Sequence, residues 1–333
     1  MVENIKKVRT AVIGLGKMGL LHACILNVLP NVEVVAICDK SFMLRKFFQR
    51  VFRRVQFADD VADLAGLDLD AVYITTPIPS HFAVARSVFA NGVAGNVFVE
   101  KTLASSYDEA TKMIGLARHS KGTNMVGYMK RFGVTFAKAK EILSQEMLGE
   151  LRSFDAYAYS SDFAVSDRRS KISGSRGGVL GDLGSHVIDL AFWFFGDLEL
   201  TGGTLSSLTG SASEDEASFT VRGLNDIEGR FNISWCKAEY RMPEFGLIVQ
   251  GTKGVLKVND DEVHLESGQE KSKVLFRHDL GDNVDFLLGD PEYCREDECF
   301  VKSILRGERI EPDFLTASKV DYLIDEVKKK TAI

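Results

Sequence analysis

A glycine-rich turn caught between a strand pattern and a helix pattern constrains this chain more than any other feature. Residues Val8 to Gly14 form a short apolar run rich in β-branched residues, the signature of a strand buried on both faces of a parallel sheet. They pass directly into Gly14-Leu15-Gly16-Lys17-Met18-Gly19, and a helical stretch from about Leu20 to Leu29 follows, ended by Pro30-Asn31. A second strand, Val32 to Cys38, closes on Asp39. Gly14 permits the tight turn, Gly16 lets the main chain approach a pyrophosphate, and Gly19 lets helix and strand pack closely. The helix start offers unpaired N–H groups and a partial positive charge to phosphates. A glycine triplet alone is common, but the strand before, the helix after and the acid at Asp39 together predict a dinucleotide site.

Asp39 is placed to accept ribose hydroxyls and favours NAD, because its carboxylate repels a 2′-phosphate. Lys40, Ser41 and Arg45 lie close enough in sequence to offset that repulsion, so NADP stays open.

The same half carries further strand ends that form the ligand crevice of an open parallel sheet. Asp70 to Thr76 is a buried strand broken at Pro77, and Ser80-His81 begins a helix running to about Asn91. His81 reads equally as a cleft residue and as a helix-start residue bonded to nearby backbone. The strand Asn96 to Val99 delivers Glu100-Lys101-Thr102 to the crevice. A lysine there is not explained by packing, since buried ammonium groups are costly without partners. Thr123 to Tyr128 is the last strand, which predicts a first domain over 1–127 and a second over 128–333.

In the second part, Gly177-Gly178-Val179-Leu180-Gly181-Asp182-Leu183-Gly184-Ser185-His186-Val187-Ile188-Asp189 sets a carboxylate and an imidazole four residues apart at the mouth of a helix. That spacing puts Asp182 and His186 on one helical face, with Val187, Leu190, Ala191 and Phe194 opposite. An imidazole beside a carboxylate is a proton-transfer device near neutral pH. A satisfied structural histidine is the plainer reading of the stretch alone. Asp189 reads as structural, bonding backbone under the helix.

From about Gly149 the pattern becomes strands and turns. Leu151–Phe163 is long and alternating, and further strands fit Glu199–Ser207, Ala217–Val221, Glu228–Cys236, Phe245–Gln250, Gly254–Asn259, Glu262–Glu266 and Lys273–Phe276. The fold class is therefore α/β: an N-terminal Rossmann dinucleotide-binding domain and a C-terminal α+β domain with a largely antiparallel open sheet. Helices around Asp182–Phe195 and Glu292–Gly307 are expected on one face of that sheet. The other face is expected to join subunits into a homodimer or homotetramer. Arg168, Arg169 and Lys171 with Ser170, Ser173 and Gly174 form a polar loop, a lid or a solvated connection.

Bulk properties exclude several classes. The 333 residues exceed one compact core, and the net charge of −6 argues against a nucleic-acid partner. No apolar run nears the roughly 20 residues of a membrane span, and Met1-Val2-Glu3-Asn4 starts no secretory segment, so a cytoplasmic protein is expected. The five cysteines lack CxxC spacing, which reads as reduced thiols with no zinc site. Between Phe42 and Arg54, basic residues alternate with Phe47, Phe48, Val51 and Phe52. A helix packed on the sheet is preferred there to a membrane-seeking one.

Taken together, Gly14-x-Gly16-x-x-Gly19, Thr75-Thr76-Pro77…His81, Glu100-Lys101 and Gly177-Gly178…Asp182-x-x-x-His186-x-x-Asp189 resemble the family of glucose–fructose oxidoreductase, inositol dehydrogenase and rhizopine-catabolism proteins (Gfo/Idh/MocA). Gly127-Tyr128-Met129-Lys130-Arg131-Phe132 further resembles its inositol-dehydrogenase branch. The resemblance implies a nicotinamide-dependent oxidoreductase acting on a sugar, polyol or inositol-like hydroxyl, with Lys101, Asp182 and His186 as the catalytic constellation and no metal. It implies cofactor contacts from Gly14, Leu15, Gly16, Lys17, Met18, Gly19, Asp39, Thr75, Thr76, Pro77, His81, Glu100 and Lys101. Substrate contacts are expected from Lys101, Lys130, Ser160, Asp182 and His186, with Ser160 preferred over the alternate set Tyr157, Tyr159 and Ser161.

The chain departs from the family pattern twice. Thr102 stands where proline usually follows Glu-Lys, often after a cis bond; a cis bond before Thr costs about 3 kcal/mol, which leaves room for a trans bond here. Ile78 stands where many members have a polar residue. Two other readings remain: a non-catalytic nucleotide-binding regulator of the same fold, and a hydrolase or epimerase using NAD transiently.

Overall fold

The computed structural model describes residues 7–162, 177–208, 213–268 and 270–331. The polar loop at 168–174 and Phe163 lie outside the described residues. The chain forms two units, and each draws on two stretches: Met1–Tyr128 with Val284–Asp321, and Met129–Asn283 with Tyr322–Ile333.

The first unit is built on a parallel sheet of β1 (Val8–Ile13), β2 (Val32–Cys38), β3 (Gln56–Ala58), β4 (Ala71–Ile74), β5 (Asn96–Glu100) and β6 (Asn124–Gly127), in the order β3-β2-β1-β4-β5-β6. Val72, Ile74, Val97 and Val99 are fully buried, as strands covered on both faces must be. Helices α1 (Lys17–Val28), α3 (His81–Ala90) and α4 (Tyr107–Ser120) are its crossovers. Strand order reverses between β1 and β4, so the crevice opens beyond the carboxyl ends of those strands.

Helix α2 (Phe42–Phe48) departs from expectation. It is only seven residues long, and Phe48 with the following Phe52 turns inward while Phe42, Met43 and Phe47 stay exposed. The packed-helix reading holds only for the two buried rings.

The chain returns to this unit late. Helix α7 (Pro291–Arg306) packs against α1 and β1, burying Cys294, Asp297, Phe300 and Val301 at helical spacing. It was expected on the second sheet; its apolar stripe instead covers the Rossmann sheet. Helix α8 (Phe314–Lys330) starts in the first unit and ends in the second.

The second unit is an eight-stranded mixed sheet in the order β14-β13-β12-β11-β7-β10-β9-β8. The strands are β7 (Leu151–Tyr159), β8 (Leu198–Ser206), β9 (Glu216–Gly223), β10 (Glu228–Ser234), β11 (Glu244–Gly251), β12 (Gly254–Asn259), β13 (Glu262–Ser267) and β14 (Glu270–Phe276). All neighbours are antiparallel except β7 and β10, which run parallel. Phe154, Ala156, Ala158, Phe219, Phe231, Leu247 and Val249 are buried on one face. Helix α6 (Ser185–Phe195) covers it at β7 and β11, and α5 (Val134–Ser144) covers it at β12 and β13 through Phe136, Ala139 and Ile142. On the opposite face Ser218, Thr220, Arg222 and Arg230 are exposed. Among the described residues no helix is long and apolar enough to cross a membrane.

Candidate functional site

In the first unit the glycine turn works through its main chain. Gly14 has φ +105°, and a Cβ there would press on the Thr76 nitrogen at 2.9 Å. A Cβ on Gly19 would come within 1.7 Å of the Gly14 carbonyl oxygen, so only glycine lets α1 leave β1 at this distance. At Gly16 a Cβ would meet no protein atom within 4 Å. That residue is the extended N-cap of α1, where N–H groups face outward for an anion.

Asp39 ties the turn to the end of β2. One carboxylate oxygen accepts the Leu15 N–H at 2.6 Å and the other accepts the Ser41 N–H at 2.7 Å. Arg45 bonds the Asp39 carbonyl and pairs with Asp59 at 3.1 Å, so its guanidinium is already engaged. A cleft of about 660 Å³ opens here, lined by Gly14, Gly16, Lys17, Met18, Asp39, Thr75, Thr76 and Pro77 among others. Its chemistry fits a dinucleotide: main-chain donors at a helix start, a carboxylate at the far strand and apolar walls. Cys38 also lines it, with a thiol pushed up to about 12 by burial and by Asp60 and Asp39.

Other residues of the set lie elsewhere. Leu15 and Gly19 sit beneath the turn. His81 is wholly buried, one ring nitrogen 2.7 Å from the Thr76 carbonyl and the other 2.9 Å from that of Thr102. Burial holds its pKa below the usual value, against the two carbonyls that favour the charged form. It bonds backbone and does not line the cleft. The Lys101–Thr102 bond, which the sequence left open, is cis. The Thr102 hydroxyl bonds the Ala104 carbonyl at 3.1 Å while His81 holds its carbonyl. Glu100 is buried, with one oxygen accepting the Lys101 N–H at 3.1 Å.

The second unit assembles its groups by side chains. Gly177 and Gly178 both have positive φ, and a Cβ on Gly178 would strike the Glu214 carboxylate at 2.1 Å. Glu214 in turn accepts the Leu180 N–H at 3.3 Å, holding the start of the helix. Residues Leu180–Gly184 form a π-helical turn that runs into α6. Asp182 is half-buried in that turn; His186 is 6% exposed at the first turn of α6.

The His186 ring meets the Phe245 ring edge-on, centroids 5.1 Å apart. The buried Lys130 ammonium lies 4.9 Å from the centre of the same ring and pairs with Asp260 at 2.5 Å. The second Asp260 oxygen accepts the Phe245 N–H at 3.2 Å. Phe245 and Ala158 are register partners, so Phe245 belongs to the face of β7 that continues to Ser160. Ser160 is fully buried, and its hydroxyl has no hydrogen-bond partner among the described residues. Asp189 holds Arg131 in a buried bidentate pair, both contacts 2.7 Å.

Sequence reading missed Glu214, Phe245 and Asp260 at this site. Each lies far along the chain from its partner, so no local spacing signals it.

The oxidoreductase family with an NAD-binding Rossmann fold (Gfo/Idh/MocA) matches residues 8–128, and the Gfo/Idh/MocA C-terminal domain matches residues 136–257. D-apiose dehydrogenase of Paraburkholderia graminis is 24% identical over 272 residues, 80% of this chain and 72% of that protein. Inositol 2-dehydrogenase/D-chiro-inositol 3-dehydrogenase of Shouchella clausii is 30% identical over 203 residues, 57% of this chain and 54% of that protein. A solved levoglucosan dehydrogenase in complex with NADH and levoglucosan shares the fold with a TM-score of 0.88, at 19% identity and covering 98% of this chain and 97% of that one. With the glycine turn, the cleft and both domain matches in agreement, this chain belongs to the Gfo/Idh/MocA family of NAD-binding oxidoreductases.

Proposed function

We propose that the protein is a dehydrogenase of a polyhydroxylated small molecule, a sugar, polyol or inositol-like alcohol. In this reading Lys101, Asp182 and His186 handle the reacting hydroxyl, and Lys130 and Ser160 contact the substrate. The observation that carries it is the second unit's set of polar groups held against apolar walls. A nearly buried imidazole shares Phe245 with a buried ammonium, and an unpartnered hydroxyl continues the same face. Such groups suit a substrate that presents several hydroxyls at once. Two relatives named as dehydrogenases of D-apiose and of inositols support the substrate class.

A bound nicotinamide supplies a hydride acceptor. His186 takes the hydroxyl proton as the carbon is oxidised, and Asp182 orients the imidazole or binds a neighbouring hydroxyl. Lys101 stabilises the negative charge that develops on the oxygen. Lys130, fixed by Asp260, is a rigid donor for a second substrate oxygen. NAD is preferred to NADP: Asp39 is held as an acceptor by two main-chain N–H groups, and Arg45 is engaged with Asp59. The exposed face of the second sheet is the surface through which subunits associate, to be read by light scattering on the eluting protein.

The test is an absorbance screen for NADH formation with polyols, aldoses and inositols, repeated with NADP. Stoichiometric NADH is expected, and His186→Ala lowers turnover by about a hundredfold or more. Turnover without net NADH points to transient oxidation, and nucleotide binding without turnover points to a regulator.

A further inference from the structure

The first unit holds a buried charge cluster that the proposed chemistry does not use. His22, on α1 three residues past Gly19, is 0% exposed, as is Asp297 on α7; Glu100, at the end of β5, is 6% exposed. The His22 Nδ1 lies 2.8 and 3.0 Å from the two Asp297 oxygens, and Nε2 lies 2.8 Å from Glu100 Oε1. The other Glu100 oxygen accepts the main-chain N–H of Lys101 at 3.1 Å.

A neutral imidazole has one N–H and one lone pair, and a carboxylate only accepts. Facing a carboxylate at each nitrogen, the ring is satisfied on both sides only when both nitrogens carry protons. Two carboxylates this close and out of water also repel, and a cation between them removes that penalty. Burial alone pulls the imidazole's pKa down, but Asp297 and Glu100 outweigh it and hold the value well above the ordinary one. The ring is walled by Phe98 and by two phenols, Tyr73 from β4 and Tyr293 from α7, at centroid distances of 5.1, 5.7 and 6.2 Å. Glu296 on α7 adds a further negative charge near Tyr73.

The pairing of β5 with β6 runs to Glu100 and Gly127, and Lys101 follows directly. The Glu100 side chain accepts the Lys101 N–H at that point. What fixes that carboxylate therefore bears on the direction in which the main chain leaves β5.

The geometry points to His22 as a positioning residue: an imidazolium clamped between Asp297 and Glu100 locks the Glu100 carboxylate onto the Lys101 N–H and so sets where Lys101 stands. The inference rests on the reading of Lys101 as a substrate group, but its test needs no turnover. Protein labelled with 15N-histidine is examined by imidazole NMR at pH 8. Separately, protein with 13C-dimethylated lysines is compared as wild type, His22→Gln and Asp297→Asn, with the Lys101 signal assigned through Lys101→Arg. Both His22 ring nitrogens are expected to be protonated. In either variant the Lys101 signal is expected to shift by more than its linewidth while those of Lys17 and Lys112, in the same unit, stay in place. NADH binding identifies folded variants, and Asp297→Asn keeps the test open where His22→Gln does not fold. A neutral His22 tautomer at pH 8, or a Lys101 signal unmoved in a folded variant, overturns the proposal. Neither outcome depends on whether any alcohol is oxidised, so failure of the dehydrogenase reading leaves the result interpretable.

Discussion

The cofactor cleft of the first unit and the polar cluster of the second solve the problem of placing groups in opposite ways. The cleft is mostly main chain: glycines that admit close approach, a helix start that donates N–H groups, and one aspartate whose oxygens are held by backbone. The cluster is side chain against side chain, with Lys130 on Asp260, Arg131 on Asp189 and His186 on Phe245. A main-chain site is fixed by steric rules within one strand-turn-helix. A side-chain site is fixed by charge pairing across the unit, and it fails when one partner is lost.

The contrast is tested most strongly at Asp189. Asp189→Ala leaves the Arg131 guanidinium buried without its carboxylate and is expected to lower stability by about 3–5 kcal/mol in denaturant unfolding. A loss below about 1 kcal/mol would mean that the second unit does not depend on its ion pairs. Next in size is Gly19→Ala, whose methyl overlaps the Gly14 carbonyl. An overpacking cost of about 3 kcal/mol predicts NADH binding weakened about a hundredfold by titration calorimetry. Gly16→Ala, with open space around the new methyl, sharpens the point: binding is expected to fall while melting temperature stays put. Smaller again, Asp39→Ser removes the carboxylate that opposes a 2′-phosphate. It should narrow the ratio of NAD to NADP affinity by about tenfold, about 1.4 kcal/mol.

The smallest expected effect is a pH dependence. His22 has a folded pKa raised above its unfolded value near 6.5, so its stabilisation is complete below about pH 6.5 and lost as pH rises through the folded value. The gap in melting temperature between wild type and His22→Gln should therefore shrink toward alkaline pH. A gap that grew there would show the ring to be neutral in the fold.

What the sequence disclosed follows the same contrast. The turn from Val8 to Asp39 was legible because every requirement lies within about thirty residues and is steric. The strands of the second sheet were legible from alternation, Gly254–Asn259 to the residue. Alternation does not encode direction, however, so the parallel pairing of β7 with β10 was not visible. Helical spacing identified the stripe of α7 but not the sheet it covers, since many apolar faces satisfy a helix equally well. Lys130 was noticed for its place after the last Rossmann strand, while its partner Asp260 lies 130 residues on and leaves no local trace. The glycine pair at 177 and 178 stood out in the sequence; the reason for it, the Glu214 carboxylate pressed against Gly178, did not.

His22 and Asp297 stand 275 residues apart in the chain. A ribosome moving from the amino end therefore finishes the Rossmann strands long before it makes the second acid that faces the imidazole buried against them. Until residue 297 has been made, that imidazole has only Glu100 of its two acids. Cutting after the last parallel strand would then yield not an autonomous module but a fragment with an exposed flank and an imidazole short of one of its two acids.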